Sequence, residues 1–324
     1  MNPVAVTGAS GLLGRHIIDK LLEEQVPVIA LVRDTRTSFP AGVSVRHIDM
    51  TDPTSMHEAF EGADTIVHAA GFVSFNPRRR KEIMEINVEG TRHVVNVCLD
   101  LGIKNIVQIS SVSALGRKPG EMVNEDDPWT GLHASDYGTS KYLAELEIYR
   151  GAEEGMNVGL VNPSVILTGS QPHRSSASIL DYVWNGNRFV TGGFLNYVDA
   201  RDVSDAVFAL IKTPRNGERF ILSGGRIAFE DFFRRVAKVW NKRAPSIHIS
   251  PAMASMFGWA EEVRSFLTGS EPMVTRQSAR MTILEYEYDT TRSKMILGMR
   301  YRNLDETIAW CCAAYAQNVT ANKP

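Results

Sequence analysis

The chain has 324 residues, 44% of them hydrophobic and 22% charged, which excludes a disordered, fibrous or coiled-coil protein. Its 35 Lys and Arg against 37 Asp and Glu give a net charge of −2, so no basic excess points to nucleic acid and no polybasic tract to a membrane. Cys98, Cys311 and Cys312 lack metal-site spacing and make no disulfide framework; no metal is expected, and a reducing, cytoplasmic setting is. The first elements follow at once, because Pro3 to Val6 is an apolar run that leads straight into glycines and does not read as a targeting segment. From Leu13 the apolar positions Leu13, Ile17, Ile18, Leu21 and Leu22 mark one face of a helix. Val28 to Val32 predicts a second strand and Val43 to His47 a weaker third. Thr65 to Ala69 and Ile106 to Ile109 predict a fourth and a fifth, with a helical stretch from Arg80 to Leu101 between them. Tyr137 to Tyr149 predicts a further helix, and Val158 to Val161 a strand. This alternation indicates an α/β fold, a doubly wound parallel sheet covered on both faces. Beyond residue 162 the order loosens. Ile179 to Val183, Val203 to Ile211 and Phe229 to Trp240 look helical, the last with a core-facing stripe of Phe229, Phe232, Phe233, Val236 and Trp240. Polar stretches at 169–178 and 269–278 read as loops. No run of about 18 apolar residues suggests a membrane span.

Between the first strand and the first helix stands Thr7-Gly8-Ala9-Ser10-Gly11-Leu12-Leu13-Gly14. A helix N-terminus offers unpaired N–H groups and a positive dipole end, which suit a pyrophosphate. Glycine lets the main chain turn tightly and approach it. The spacing is GxxGxxG, not GxGxxG, so the strand before and the amphipathic helix after carry the reading. A plain tight turn is the alternative. The second strand ends at Leu31-Val32-Arg33, where NAD-binding folds often place an acidic residue for the ribose 2′-hydroxyl. Val32 offers no acceptor, and the Arg33 guanidinium suits a 2′-phosphate. NADP(H) is therefore favoured over NAD(H). Asp34 weakens the preference if it faces the ribose, and a solvated surface charge is the other reading of Arg33. Asp49, after the third strand, can accept from an adenine amino group, with Met50 against the ring. Asp52 is the better helix cap.

Tyr137 and Lys141 lie four apart and share a helix face. A phenol titrates near pH 10 and is a poor base at neutral pH. A neighbouring ammonium is expected to lower that value, so that the pair can exchange a proton with a carbonyl or hydroxyl. Ser111 follows the fifth strand, at the strand ends where open parallel sheets bind ligands. Its hydroxyl can bond the same substrate oxygen. The bland alternative is a buried loop serine.

These pieces together resemble an extended short-chain dehydrogenase/reductase, of the NAD-dependent epimerase/dehydratase superfamily. In family order they are the Thr7-to-Gly14 turn, Asp49, His68-Ala69-Ala70-Gly71, Asn87-Val88-Glu89-Gly90-Thr91, Ser111, the Tyr137/Lys141 pair, Asn162-Pro163-Ser164, and the segment from Tyr197 to Val203. The resemblance implies a Rossmann domain over residues 1–162, to which 196–224 returns, and a smaller substrate-binding lobe mainly over 163–324. It implies that Tyr137 is the general acid/base, that Lys141 lowers its pKa and binds the nicotinamide ribose, and that Ser111 orients the substrate oxygen. Ala69, Ala70 and Gly71 would pass beside the adenosine ribose and pyrophosphate. Pro163 and the backbone near Val165 would hold the carboxamide, and Asn87 would support neighbouring backbone. Phe72, Phe75, Trp129, His133 and Phe194, with Trp184 and Tyr197, are candidates for substrate contact. Arg78-Arg79-Arg80-Lys81 reads as a solvated helix start, or as a seat for an anionic substrate tail.

The superfamily holds reductases, epimerases, dehydratases and steroid dehydrogenases, and fold does not choose among them. Val32-Arg33 is similar to NADP-using, dihydroflavonol-reductase-like members. Gly193-Phe194-Leu195-Asn196 carries no arginine for a nucleotide diphosphate, and Ser111 is followed by Val112 where dehydratases of the family often have Thr followed by an acidic residue. The expectation is an NADP(H)-dependent reductase or alcohol dehydrogenase acting on a small, largely apolar substrate. A nucleotide-sugar epimerase or dehydratase using NAD is the alternative, and a non-catalytic NADP-sensing protein a third. A homodimer through paired helices is usual in the family.

Overall fold

The apolar runs become strands because helices bury them from both sides. In the computed structural model, which describes residues 2–117, 120–132, 134–169, 178–250 and 285–321 with positions 253, 256 and 264, every residue of β1 (Val4–Thr7), β2 (Val28–Val32) and β4 (Thr65–His68) is buried. β3 (Val43–His47) lies at the sheet edge and is half exposed, which accounts for its weaker apolar signal. β5 (Asn105–Ile109), β7 (Asn157–Pro163) and β11 (Glu218–Leu222) complete a seven-stranded parallel sheet in the order β11-β7-β5-β4-β1-β2-β3. Strand order reverses direction at β1, so a crevice opens beyond the carboxyl ends of β1 and β4.

On one face pack α1 (Leu12–Glu23) and α7 (Ala200–Lys212), on the other α2 (Pro53–Phe60), α4 (Gly90–Leu101) and α5 (Asp136–Glu153). Alternation along β1 serves both, with Val4 and Val6 in the first core and Ala5 in the second. α1 starts at Gly11 with no side-chain cap, a loss of only about 0.3 kcal/mol for a glycine at that position. Its buried Leu13, Ile17, Ile18 and Leu21 contribute roughly 1.5–3 kcal/mol each and outweigh that loss. Packing therefore sets the direction of α1 and leaves its N-terminus open.

The expected single helix from Arg80 to Leu101 differs in detail. α3 (Arg80–Met84) and α4 are joined by a π-helical turn, Glu85–Glu89. The wide turn carries the buried Asn87, whose amide bonds the chain leaving β4. Such turns cluster at functional sites.

A second core belongs to the later part of the chain. A three-stranded sheet, β12 (Gly225–Ala228), β10 (Phe194–Asp199) and β8 (Val165–Leu167), packs with α6 (Ser178–Trp184), α8 (Phe229–Val239) and α10 (Leu304–Ala321). Phe232, Phe233 and Val236 of the aromatic stripe are buried there, and Phe229 and Trp240 lie at its margin. Two short pairings, β13 (Ile247–Ile249) with β9 (Phe189–Thr191) and β14 (Glu287–Tyr288) with β6 (Met122–Val123), and the helix α9 (Thr291–Ile296) complete the fold. The expected loops at 169–178 and 269–278 lie outside the described residues, except for 169 and 178. Among the described residues no helix is long and apolar enough to cross a membrane.

Candidate active site

The glycine turn is shaped by close approach. Gly8 has a φ of +67°, and a Cβ there would stand 2.7 Å from Ala70 N. A Cβ on Gly14 would stand 2.2 Å from the Gly8 carbonyl oxygen. That carbonyl accepts from Gly11 N at 2.8 Å, closing the turn over the uncapped start of α1. Leu12, Leu13 and Gly14 thus present a first helical turn with no acidic side chain, a cradle that fits a pyrophosphate. Ser10 lies in the same turn.

Arg33 is exposed just past β2 and forms no ion pair among the described residues. Asp34 faces away from this role. Its carboxylate takes Arg36 Nε and Nη2, both at 2.8 Å, in a local turn. Asp49 accepts from Thr51 N at 2.9 Å and Thr51 Oγ1 at 2.8 Å, and these bonds hold its carboxyl below the usual range, with Arg33 a smaller contribution. Met50 is 9% exposed and packs beneath Gly90, so most of its side chain serves the core. Asp52 caps α2 through Thr54 N.

A buried chain of polar groups runs from this turn to the catalytic candidates. Ala70 N donates to Thr7 Oγ1 at 3.0 Å, and Thr7 Oγ1 lies 2.7 Å from His68 Nδ1. Thr91 Oγ1 donates to the Asn87 carbonyl at 2.6 Å, so its contact at 3.0 Å with His68 Nε2 is one it accepts. The imidazole proton is thereby assigned to Nε2, and Nδ1 accepts from Thr7. Burial, and then the Lys141 charge, push His68 down to about 3, so the ring is neutral. Asn87 Oδ1 accepts from Phe72 N at 2.7 Å, and its Nδ2 donates to the Phe72 carbonyl at 3.0 Å and to Ser140 Oγ at 2.9 Å. Ser140 Oγ donates to the Tyr137 carbonyl at 2.8 Å.

Ser111, Tyr137 and Lys141 converge at the carboxyl ends of β5 and β7. Ser111 caps a short 3₁₀ turn and accepts from Ser113 N at 3.1 Å. Lys141 Nζ donates to the Ile109 carbonyl at 2.8 Å, and a Cβ on Gly71 would lie 3.4 Å from it. The expected lowering of the phenol by Lys141 is not what the geometry gives. Burial pushes Tyr137 up to about 12, and the opposing influence is the Ser111 hydroxyl. Desolvation wins because the Lys141 ammonium is directed at a main-chain carbonyl. Burial in turn pushes Lys141 down to about 8.

Pro163 closes β7 and is buried, and Val165 opens β8 with its surface partly exposed. Ala69 and Ala70 are partly exposed and Gly71 exposed, along the chain leaving β4. Among the substrate candidates, Phe75 stands edge-on to the Tyr137 ring at 6.2 Å. Phe72 lies under the Arg79 guanidinium at 4.3 Å, and Arg79 also pairs with Glu82. Trp129 is stacked on Tyr142 at 4.6 Å, and Phe194 is exposed beneath the Arg226 guanidinium at 3.8 Å. Trp184 and Tyr197 belong to the second core, and His133 lies outside the described residues. Sequence reasoning missed the His68 relay and Glu145. The pointers were a histidine ending a buried strand and a carboxylate one helical turn past Lys141.

Residues 4–222 match the NAD dependent epimerase/dehydratase family. The chain is 27% identical over 304 residues to sterol demethylase protein B of Methylococcus capsulatus, covering 91% of this chain and 92% of that one. It is 26% identical over 318 residues to a Synechocystis protein provisionally named a dihydroflavonol 4-reductase, covering 94% and 92%. Among solved structures, that of gox2253 superposes with a TM-score of 0.83 at 26% identity over 98% of this chain and 99% of that one. The glycine cradle, the doubly wound sheet and this match agree, and the chain belongs to the NAD dependent epimerase/dehydratase family as an enzyme of the extended short-chain dehydrogenase/reductase type.

Proposed function

We propose that the protein is an NADP(H)-dependent oxidoreductase that reduces the carbonyl of a small, largely apolar substrate, or oxidises the corresponding alcohol. The observation that carries this reading is the convergence of Ser111, Tyr137 and Lys141 beside Phe75, past the open cradle at Gly8 to Gly14. The first turn of α1 and the Ala69-to-Gly71 strand exit would hold the dinucleotide, and Pro163 with the Val165 backbone would hold its carboxamide. Arg33, which forms no ion pair among the described residues and acts on Asp49 only as a smaller, longer-range charge while Asp34 is tied to Arg36, supports a 2′-phosphate and so NADP(H) over NAD(H). Bound there, a reduced nicotinamide supplies the hydride that forms the new C–H bond at the carbonyl carbon.

The chain's own residues handle the proton. Ser111 donates to the substrate oxygen and fixes its direction. Tyr137 gives its hydroxyl proton to that oxygen as negative charge develops on it. A phenol held above its usual range keeps its proton at neutral pH, so it is ready as an acid. Lys141, directed at the Ile109 carbonyl, would hold the nicotinamide ribose. Phe75, edge-on to the Tyr137 ring, would keep water from the reacting carbon. The test is NADPH oxidation with a carbonyl panel. Tyr137→Phe is expected to lose a factor of about 10²–10⁴ in turnover while NADPH still raises the thermal midpoint. Full activity in that variant overturns the acid/base assignment.

A further inference from the structure

Glu145 is a buried carboxylate that the proposed reaction does not use. It is 1% exposed, and with Tyr137 and Lys141 it repeats every four residues along one face of α5. Its Oε1 accepts from Asn162 Nδ2 on β7 at 2.6 Å, and its Oε2 pairs with Arg219 Nη1 on β11 at 3.2 Å. Asn162 gives its other amide proton to the Ser111 carbonyl at 3.0 Å. Both acceptors lack protons when Glu145 is ionised, which fixes the orientation of that amide. The buried Ser110 hydroxyl also lies beside Glu145, without a hydrogen bond of standard geometry. A carboxylate so deep persists because it is paired and bonded. Burial pushes its pKa up, and Ser110, Arg219 and Asn162 pull it back.

One helical turn before this carboxylate, on the same face of α5, is Lys141. The ammonium donates to the Ile109 carbonyl, Glu145 acts on it from α5, and the neutral His68 from β4 and the neutral Asn87 from the π turn lie nearby, with Tyr137 one turn earlier on the same face of α5. Burial disfavours the Lys141 charge, and Glu145 is the influence that opposes it.

We propose that Glu145 is a positioning residue of this site, supplying the counter-charge for the Lys141 ammonium and, through Asn162, holding the Ser111 main chain in place. The proposal rests on the reading of Ser111, Tyr137 and Lys141 given above. It reaches past the reaction to the way three strands are tied to one helix. Arg219, Asn162 and Ser111 come from β11, from β7 and from the residues that follow β5, and one carboxylate joins them.

The test titrates the full chain, labelled with lysine carrying ¹³C at Cε, by NMR, with the Lys141 signal assigned through Lys141→Arg. In Glu145→Gln the Lys141 midpoint is expected to fall by about one pH unit, and in Glu145→Asp, which keeps the charge, by less than half of that. An unmoved midpoint in folded Glu145→Gln overturns the proposal. If that variant does not fold, the double variant Glu145→Gln/Arg219→Gln leaves no unpaired buried charge, and its Lys141 midpoint is compared with that of Arg219→Gln alone, where the same fall is expected and an unmoved midpoint overturns the proposal. In carbonyl reduction, Glu145→Gln is expected to move the alkaline limb of kcat/KM down by the same unit. An equal loss at every pH marks a merely structural role and overturns the proposal. A fully active Tyr137→Phe sinks the reading of the reaction instead, and the NMR titration still decides Glu145.

Discussion

The two ends of the candidate cleft are built in opposite ways. At the phosphate end the contacts are main chain, the side chains are small, and the helix start is left open. At the other end buried side chains interlock, from His68 and Asn87 through Ser140 to Tyr137, and from Arg219 through Glu145 to Ser111. The first design tolerates no added atoms. The second depends in part on each linked group. A single Cβ should break the former, while loss of one hydrogen-bonding group should degrade the latter by degrees.

Gly14→Ala tests this contrast most severely. The new Cβ would lie 2.2 Å from a main-chain carbonyl, so the helix start or the turn has to shift. Strain of about 1–3 kcal/mol is expected in urea unfolding. The thermal shift given by NADPH should disappear. A variant that keeps the shift would show that the cofactor does not use this turn. Arg33→Ala is expected to leave the fold alone and lower the preference for NADPH over NADH by about 10–100-fold, the worth of a charge-assisted pair. An unchanged ratio by calorimetry would remove Arg33 from the cofactor site. At the interlocked end, Asn87→Ala leaves the Phe72 N–H and carbonyl without their partner. It should cost about 1–3 kcal/mol of stability and lower kcat more than it raises the KM for NADPH. The reverse split would place Asn87 at the cofactor rather than beneath Tyr137.

The phosphate end was legible in the sequence because its rules are local. A buried apolar run, a glycine turn and an amphipathic helix follow one another within twenty residues, and β2 and β3 end where the runs end. The spacing of Tyr137 and Lys141 was legible for the same reason. Long-range placement was not. No local pattern says that Arg226 covers Phe194, because that depends on the register of β12 against β10. The lowered phenol was misjudged because spacing reports which side chains share a face, not which carbonyl the ammonium meets. The π turn escaped because its apolar spacing continues that of the flanking helices. In the later half, short strands such as β9 and β13 have three residues each, too few for a period to show.

The smallest expected effect probes how well the interlocked end is sealed. His68 is neutral in the fold, pushed down to about 3, whereas an unfolded histidine titrates near 6.5. As pH falls below about 6.5 the unfolded chain therefore binds a proton that the folded chain refuses. The penalty is absent above that pH, grows by up to about 1.4 kcal/mol per pH unit, and stops growing below about 3. His16, lowered to about 4 where it meets Thr168 and Trp310, adds a second proton of the same sign. Urea unfolding between pH 6.5 and 5 should show stability falling with pH, and His68→Gln should remove one proton from that slope while leaving the share of His16. The interval is chosen above the range where ordinary carboxylates titrate, and any carboxyl raised by burial contributes equally to both proteins. Equal slopes would mean that His68 takes up its proton in the folded state. The Thr7–His68–Thr91 relay would then be open to water, and the contrast between the two ends of the cleft would be lost at its centre.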